Sequence, residues 1–401
     1  MERAELRECI ERLPQAQRRG DFVFLVDPSW GATERAQFEV IARLAPSVDA
    51  SRGWLCVPTG GSSGQIRFAR HDERTIAAAV SGFRLHFNVT RVKAVGVLPH
   101  HHVSGLMAML RCAFSGGTYV AWEWKRMLAG EFPDTADEDG DWFLSLVPTQ
   151  LERLMATEKG VEFMRGFGCV FIGGGPSWLQ LTERAAQPGI KVSLSYGMTE
   201  TAAMVCAQLP EEFAAGERGA GRPMPHATIE LVGDEGTSLI DVIPNRQNEP
   251  RPAPGNSIGR IRVHGESVCW GYFPELRSDR QWLTEDLGTI ETSGALRVLG
   301  RRDAVIISGG EKIAPTEVEE ALRELDLFDD VAVVGVPDEK WGEIVVAFHP
   351  AQQSPIALDD IRSALGERLA AFKLPKKLVA VADWPRNAQG KVNRAALRAL
   401  I

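Results

Sequence analysis

Residues 59–64 read Thr-Gly-Gly-Ser-Ser-Gly, three hydroxyls and three glycines set between two apolar runs. Such a loop suits phosphate, because glycine lets backbone N–H groups come close and the hydroxyls add donors. It is not a Walker loop. Gln65, Ile66 and Arg67 follow Gly64 where that motif needs Lys and Ser/Thr opening a helix, and "QIRFA" reads as a strand. A β-hairpin turn draws on the same residue types, so composition leaves both readings open. Arg67 either follows the loop towards a phosphate or lies on a solvated strand face.

Four further clusters carry chemistry. In "SYGMTETAAM" (195–204), Tyr196 offers a ring, Thr199 a hydroxyl and Glu200 a carboxylate for a hard cation such as Mg²⁺. A helix start capped by Thr199 fits the same letters. "FIGGGPSW" (171–178) sets Gly173, Gly174, Gly175 and Pro176 after a strand, a turn that allows close approach to a planar ligand or simply leads into a helix. "LPHHHVSGL" (98–106) places three histidines in a row. Neighbours in an extended segment point to opposite faces, so they are not expected to share one ion. A single pocket-wall histidine, His102, is the better reading, with Ser104 as the cap of the next helix. In "WLTEDLG" (282–288), Asp286 suits a ribose diol or a turn. Near the C-terminus "PRNAQGKVNR" presents Lys391 in a polar turn.

Positioning these residues falls to alternating strands and helices. "DFVFLV" (21–26), "VKAVGVLP" (92–99), "FLSLVP" (143–148), "CVFIGG" (169–174) and "IKVSLSY" (190–196) read as strands. A helix over 33–44 has Thr33 as its expected N-cap. This alternation predicts a layered α/β fold. Beyond residue 220, "ATIELV", "GRIRVHG" and "ALRVLG" alternate with period two, a smaller antiparallel β region. The Pro- and Asn-rich stretch 242–257 reads as a surface loop. From residue 303 a small α+β domain follows, with helices over 316–325 and 358–371. The expected boundary lies at 302–304, giving domains 1–302 and 303–401.

The chain has 401 residues, 44% hydrophobic and 24% charged, with a net charge of −8. That is an ordinary globular balance with no basic field for nucleic acid or an anionic membrane. No apolar run reaches membrane-spanning length, and the N-terminal stretch lacks the apolar core of a secretory signal. Six scattered cysteines show no zinc or redox spacing, so buried free thiols and a cytoplasmic setting are expected.

In this order the motifs resemble the adenylate-forming superfamily of acyl-CoA synthetases, luciferases and peptide synthetase adenylation domains. Tyr196-Gly197-Met198-Thr199-Glu200 matches that family's Y-G-x-T-E, and Gly300-Arg301-Arg302-Asp303 its G-R-x-D hinge. Thr284 to Gly288 resembles the T-G-D-x-G of W-x-x-T-G-D-x-G with Glu285 in place of glycine and Trp282 one position nearer, and Gly309-Gly310-Glu311-Lys312 matches the turn that follows the hinge. The loop 59–68 departs from T-S-G-T-T-G-x-P-K-G: its proline is lost and Arg67 replaces lysine. "PTGGSSGQIRFA", "LPHHHVSGL" and "GMTETAAM" look most like 2-succinylbenzoate–CoA ligases, above all those of cyanobacteria and plastids. Only residues 1–58 precede the loop, well short of that family's norm, so some N-terminal packing elements are expected to be reduced.

The resemblance implies a large α/β domain and a small mobile C-terminal domain hinged at Asp303. It implies ATP, Mg²⁺ and coenzyme A acting on a small carboxylic acid through an acyl-adenylate. It gives Thr59, Gly60, Gly61, Ser62, Ser63, Gly64 and Arg67 to the phosphates, Thr199 to the α-phosphate and Glu200 to Mg²⁺. Gly173, Gly174, Gly175, Pro176, Tyr196 and Gly197 would enclose adenine, and Asp286 and Arg301 the ribose. Lys391 would bridge carboxylate and α-phosphate, and Gly309 and Gly310 would shape the pantetheine channel. His102, Ser104 and Met198 would line the acid pocket. No nucleic acid partner or membrane insertion is expected, and the chain would be a monomer or homodimer. Another acyl- or aryl-CoA ligase, or a nucleotide-binding relative without catalysis, are the alternatives.

Overall fold

The computed structural model describes residues 20–60, 65–135, 142–174, 179–233, 236–242, 257–351, 357–386 and 392–401. Three strands open the chain: β1 (Val23–Phe24), β2 (Leu55–Gly60) and β3 (Ile66–His71). They lie in the order β1-β2-β3, with β1 parallel and β3 antiparallel to β2. The glycine-rich loop is therefore the connection of a β-hairpin. Between β1 and β2 runs α1 (Ala32–Ala42), whose N-cap is Gly31 and not the expected Thr33. Gly31 holds the extended conformation of a cap, while Thr33 is already helical. The Arg35 side chain bonds the carbonyls of Trp30 and Pro28 beside it.

α2 (Glu73–His86) begins at a capping box. The Asp72 carboxylate accepts from the N–H groups of Arg74 and Thr75, and Thr75 Oγ1 accepts from the Asp72 N–H. The cap fixes the chain one residue after His71, the end of β3.

A seven-stranded sheet follows, built from β4 (Lys93–Gly96), β5 (Tyr119–Ala121), β6 (Trp142–Leu146), β7 (Cys169–Ile172), β8 (Val192–Met198), β9 (Ala203–Ala207) and β10 (Arg222–Pro223). Its order is β10-β9-β8-β7-β6-β4-β5, parallel from β5 to β8 and antiparallel beyond. Every residue of β7 is buried, as an apolar strand covered on both faces must be. The helices here are α3 (Val103–Ser115), α4 (Trp124–Leu128), α5 (Pro148–Met155), α6 (Glu158–Arg165), α7 (Leu179–Ala186) and α8 (Pro210–Ala214). The N-cap of α3 is His102 and not Ser104. A turn closed by His102 N–H on the Pro99 carbonyl, 3.1 Å, delivers the chain there, so Ser104 falls inside the helix.

The alternating segments past residue 220 form the expected antiparallel sheet: β11 (Ala227–Val232), β12 (Ser238–Val242), β13 (Gly259–Gly265), β14 (Gln281–Ile290) and β15 (Leu296–Arg301), in the order β12-β11-β13-β14-β15. Ile261 and Val263 of β13 point into a cluster with Ile229 and Leu231, while Arg260 and Arg262 are only partly covered. The expected surface loop lies almost wholly outside the described residues.

The chain divides into two compact units, and the second takes residues 298–401 with Trp178–Glu183 and Glu285–Thr289. In the second unit β16 (Ile306–Ser308), β17 (Glu311–Ile313), β18 (Ala332–Asp338), β19 (Gly342–Pro350) and β20 (Lys377–Val381) form one sheet. Its helices are α9 (Pro315–Arg323), α10 (Leu358–Gly366) and α11 (Arg394–Arg398). Val333, Val345 and Ala347 pack with Val318, Leu322 and Leu365 on one face, and Val334, Val346 and Phe348 with Leu397 on the other. Helix α10 stops at Gly366, short of the expected residue 371. Glycine propagates a helix poorly, and leaving it lets Leu369 and Leu374 join the first cluster.

Candidate functional site

Cross-strand pairing sets Thr59 opposite Arg67 at the base of the glycine-rich hairpin. Thr59 Oγ1 is buried and has no hydrogen-bond partner among the described residues. The Arg67 guanidinium lies 4.5 Å from the centre of the Tyr272 ring. Tyr272 in turn donates its hydroxyl to Glu200 Oε1. Glu200 is 9% exposed, and its carbonyl accepts from Cys269 N–H at 2.8 Å. Burial, reinforced by the Glu200 charge, raises the Tyr272 phenol well above its ordinary range, so it acts as a donor. One carboxylate oxygen is thus engaged by the phenol, and a carboxylate is an oxygen donor of the kind Mg²⁺ takes.

The Tyr196–Glu200 segment turns sharply at the end of β8. A register shift falls between Tyr196 and Gly197, and a Cβ on Gly197 would sit 1.9 Å from the Ala203 carbonyl oxygen, so only glycine fits. Thr199 to Thr201 form one 3₁₀ turn with Met198 at its N-cap. Ala202 and Ala203 then both adopt positive φ, 52° and 75°. Thr201 Oγ1 bonds the Ala203 carbonyl at 2.8 Å and holds the turn closed. His71 adds a second hold: its Nε2 lies 2.7 Å from the Thr199 carbonyl, which can only accept. Burial pushes the His71 imidazole down to about 4, so this donor is neutral. Tyr196 itself packs in the apolar cluster with Val205 and Ile229.

A cleft opens at the carboxyl ends of β4, β6, β7 and β8, where open α/β sheets place ligands. Among its lining residues are Ser104, Arg111, Gly173, Gly174, Ser195 and Gly197. Gly174 holds φ +75°, and a Cβ on Gly173 would press to 2.9 Å from Ser195 Oγ. Arg111 is 3% exposed, its guanidinium 4.4 Å from the Phe83 ring centre. Its Nε has no hydrogen-bond partner among the described residues. Burial lowers the Arg111 pKa to about 10, which leaves it charged at neutral pH. The nearby His226 imidazole is pushed down to about 4 by burial and by Arg111.

Sequence reasoning passed over Arg111, Tyr272 and His71. Arg111 left a signal, a lone cation in "VSGLMAMLRCAFS" seven residues after Ser104 and so on the same helical face. Tyr272 left none, since its partner is 72 residues away.

The three histidines divide. His100 Nε2 lies 2.7 Å from Tyr119 Oη, and burial pushes its imidazole down to about 4. His101 Nε2 lies 3.4 Å from Asp27 Oδ2, with its ring 4.3 Å from that of His102. The segment is a turn, so the opposite-face argument fails: the imidazoles of His101 and His102 lie together.

In the second unit, Asp286 lies mid-strand in β14 rather than in a turn, and its charge favours the Arg301 cation. Arg301 Nε and Nη2 donate to the two oxygens of Asp303 at 2.7 and 2.6 Å. That pairing holds the Asp303 carboxyl below its ordinary range despite desolvation. Gly309 and Gly310 both take positive φ at the β16–β17 turn, and a Cβ on Gly309 would meet the Trp341 ring at 2.9 Å. In α9, Glu319 is fully buried and accepts two bonds from Arg394 Nη2. Gly61, Ser62, Ser63, Gly64, Gly175, Pro176 and Lys391 lie outside the described residues. Cys56, Cys112, Cys169, Cys206 and Cys269 are buried thiols outside any disulfide, as expected. Among the described residues no helix is long and apolar enough to cross a membrane.

A mostly parallel sheet with a cleft at its strand ends, together with a smaller α+β unit, is the architecture of the adenylate-forming fold. The chain belongs to the AMP-binding enzyme family, whose model matches residues 7–273, and the AMP-binding enzyme C-terminal domain matches residues 317–391. It is 32% identical over 303 residues to a 2-succinylbenzoate–CoA ligase of Oceanobacillus iheyensis, covering 74% of this chain and 59% of that one. Against the indoleacetate–CoA ligase of Aromatoleum aromaticum it is 30% identical over 365 residues, 89% of this chain and 69% of the other. Among solved structures, o-succinylbenzoate CoA synthetase (MenE) from Bacillus subtilis in complex with the acyl-adenylate intermediate superposes with a TM-score of 0.73 at 26% identity, covering 97% and 80% of the two chains. ATP-bound MatB from Rhodopseudomonas palustris gives 0.72 at 26% identity, covering 86% and 67%. The chain spans about three fifths of the length of the first 2-succinylbenzoate–CoA ligases it matches.

Proposed function

We propose that the protein is an ATP-dependent acid–thiol ligase that joins 2-succinylbenzoate to coenzyme A through an acyl-adenylate, releasing AMP and pyrophosphate, in naphthoquinone (menaquinone or phylloquinone) synthesis. Oxide is a poor leaving group, so the acid first attacks the α-phosphorus of ATP and the thiol then displaces AMP. The first step joins two anions, and positioning with charge neutralisation dominates it.

In this reading Thr59 to Gly64 and Arg67 hold the β- and γ-phosphates, and Thr199 contacts the α-phosphate. Glu200 holds the Mg²⁺ that neutralises phosphate charge, with Tyr272 fixing the carboxylate. Gly173 to Pro176, Tyr196 and Gly197 enclose adenine, and Asp286 and Arg301 take the ribose. Lys391 bridges carboxylate and α-phosphate, Asp303 is the hinge, and Gly309 and Gly310 serve the pantetheine arm. His102, Ser104 and Met198 face the acid. The buried thiols fit a reducing cytoplasm, and the enzyme works as a monomer or homodimer.

The observation that carries the choice of acid is Arg111, a buried guanidinium facing the cleft with no carboxylate held against it among the described residues. A buried cation without an anion is costly, and the second carboxylate of a diacid would supply one. The test is a panel of acids with ATP and coenzyme A, following pyrophosphate and thioester. Turnover of 2-succinylbenzoate far above that of benzoate, indoleacetate or octanoate supports the reading. Preference for a monoacid overturns it. Lys391→Ala should abolish adenylation yet leave thioester formation from supplied acyl-adenylate largely intact; equal loss of both halves would defeat the bridging role.

A further inference from the structure

The turn after β1 brings Asp27 beside the two histidines that lead into α3. Ser29 N–H and Oγ–H both donate to Asp27 Oδ1, at 2.8 and 2.6 Å, which pins that oxygen and leaves Oδ2 towards His101. Asp27 is 7% exposed, and His101 and His102 are both half-buried. One ligand atom from each of the three residues lies within 4.8 Å of the others.

The spacing is the informative quantity. His101 Nε2 and Asp27 Oδ2 stand 3.4 Å apart. That exceeds an ordinary N–H···O hydrogen bond of about 2.7–3.2 Å. Two ligands of one tetrahedral ion, each bonded at about 2.0–2.1 Å, sit about 3.3 Å from each other. Two imidazoles with one carboxylate form a borderline set that suits zinc-class ions, whereas Mg²⁺ prefers oxygens alone in an octahedron. We propose that Asp27, His101 and His102 form a transition-metal site for Zn²⁺ or a like divalent ion, with water in the fourth position. The ion ties the turn after β1 to the N-cap of the helix that carries Ser104 and Arg111. This site is separate from Glu200; it commits His102 to the ion and leaves Ser104 and Met198 to face the acid, whichever acid the cleft accepts.

Cobalt(II) reports both binding and geometry, because four-coordinate cobalt absorbs strongly in the visible and six-coordinate cobalt only faintly. The full chain, stripped with a chelator, is titrated with CoCl₂ in the absence of nucleotide and then challenged with ZnCl₂. The expected result is one strongly absorbing cobalt per chain, displaced by zinc, with at least a tenfold loss of affinity in Asp27→Asn and in His101→Gln. Glu200→Gln and His264→Gln should keep the signal unchanged. Asp27 is buried, so His101→Cys provides a variant that keeps a ligand: it should bind one cobalt with an added sulfur-to-metal charge-transfer band. A faint six-coordinate spectrum, no binding, or equal binding by the wild type and both losing variants would overturn the site, as would loss in Glu200→Gln or His264→Gln.

Discussion

The phenol of Tyr272 donates to the Glu200 carboxylate while the same ring lies under the Arg67 guanidinium. Three residues from three separate segments thus form one chain of contacts, running from the base of the glycine-rich hairpin to the proposed cation ligand. Tyr272→Phe cuts the hydrogen bond and keeps the ring. Hydrogen bonds to charged groups contribute about 1.5–3 kcal/mol, so the adenylation rate should fall roughly ten- to a hundredfold, with a raised Mg²⁺ requirement. Pyrophosphate release measured across a Mg²⁺ titration checks it, and an unchanged Mg²⁺ midpoint would count against the coupling.

Arg111→Met separates recognition from stability. Removing the guanidinium should lower kcat/KM for 2-succinylbenzoate by about a hundredfold, a loss of 2–3 kcal/mol, and should leave a monoacid of similar size little affected. The same change removes a buried cation that lacks an acidic partner among the described residues, so the apo protein should become more stable, by about 1 kcal/mol or more. Urea melts and acid-panel kinetics on one variant read both signs.

Three imidazoles set an acid limit on the fold. Burial pushes His71, His100 and His226 down to about 4. Each is neutral in the native state, while an unfolded histidine takes up a proton near its ordinary pKa of about 6.5. Between those values the unfolded state binds more protons, so stability is lost as pH falls from about 6.5 to about 4 and levels off below. For His71, fully buried, the loss is on the order of 3 kcal/mol. Urea midpoints from pH 7 to 4 should decline, and His71→Gln should flatten part of that decline.

Arg70 tests a different use of a buried cation. It is 1% exposed, and it bonds the carbonyls of Asp49, Arg52, Gly53, Pro274 and Glu275. Arg70→Met would strand several carbonyls and should destabilise the first unit by about 3–5 kcal/mol. Arg70→Lys, which reaches fewer of them, should cost less; equal melting of all three proteins would refute the assignment.

Much of this architecture was legible because a buried parallel strand must be an apolar run, and such runs at 92–99, 143–148 and 169–174 each hold a strand. Caps were less legible. Thr33 and Ser104 are good capping residues, yet the chain enters helix at Gly31 and His102, where turns upstream deliver it. Residue type singles out Glu200 as a candidate, but nothing in the sequence points to its donor: the Tyr272 phenol, 72 residues away, reaches it only through the fold. His101 and His102 were misjudged because an extended backbone was assumed where a turn closes.

Ala202 and Ala203 follow Glu200 with only Thr201 between, both in left-handed backbone, a region alanine occupies only at a cost of about 1–3 kcal/mol each. Glycine would rest there without that cost, and would also let the segment wander. Heat tolerance and aim are therefore set against each other at these two positions: a glycine at either should give a protein that survives warmer storage while orienting its carboxylate less well.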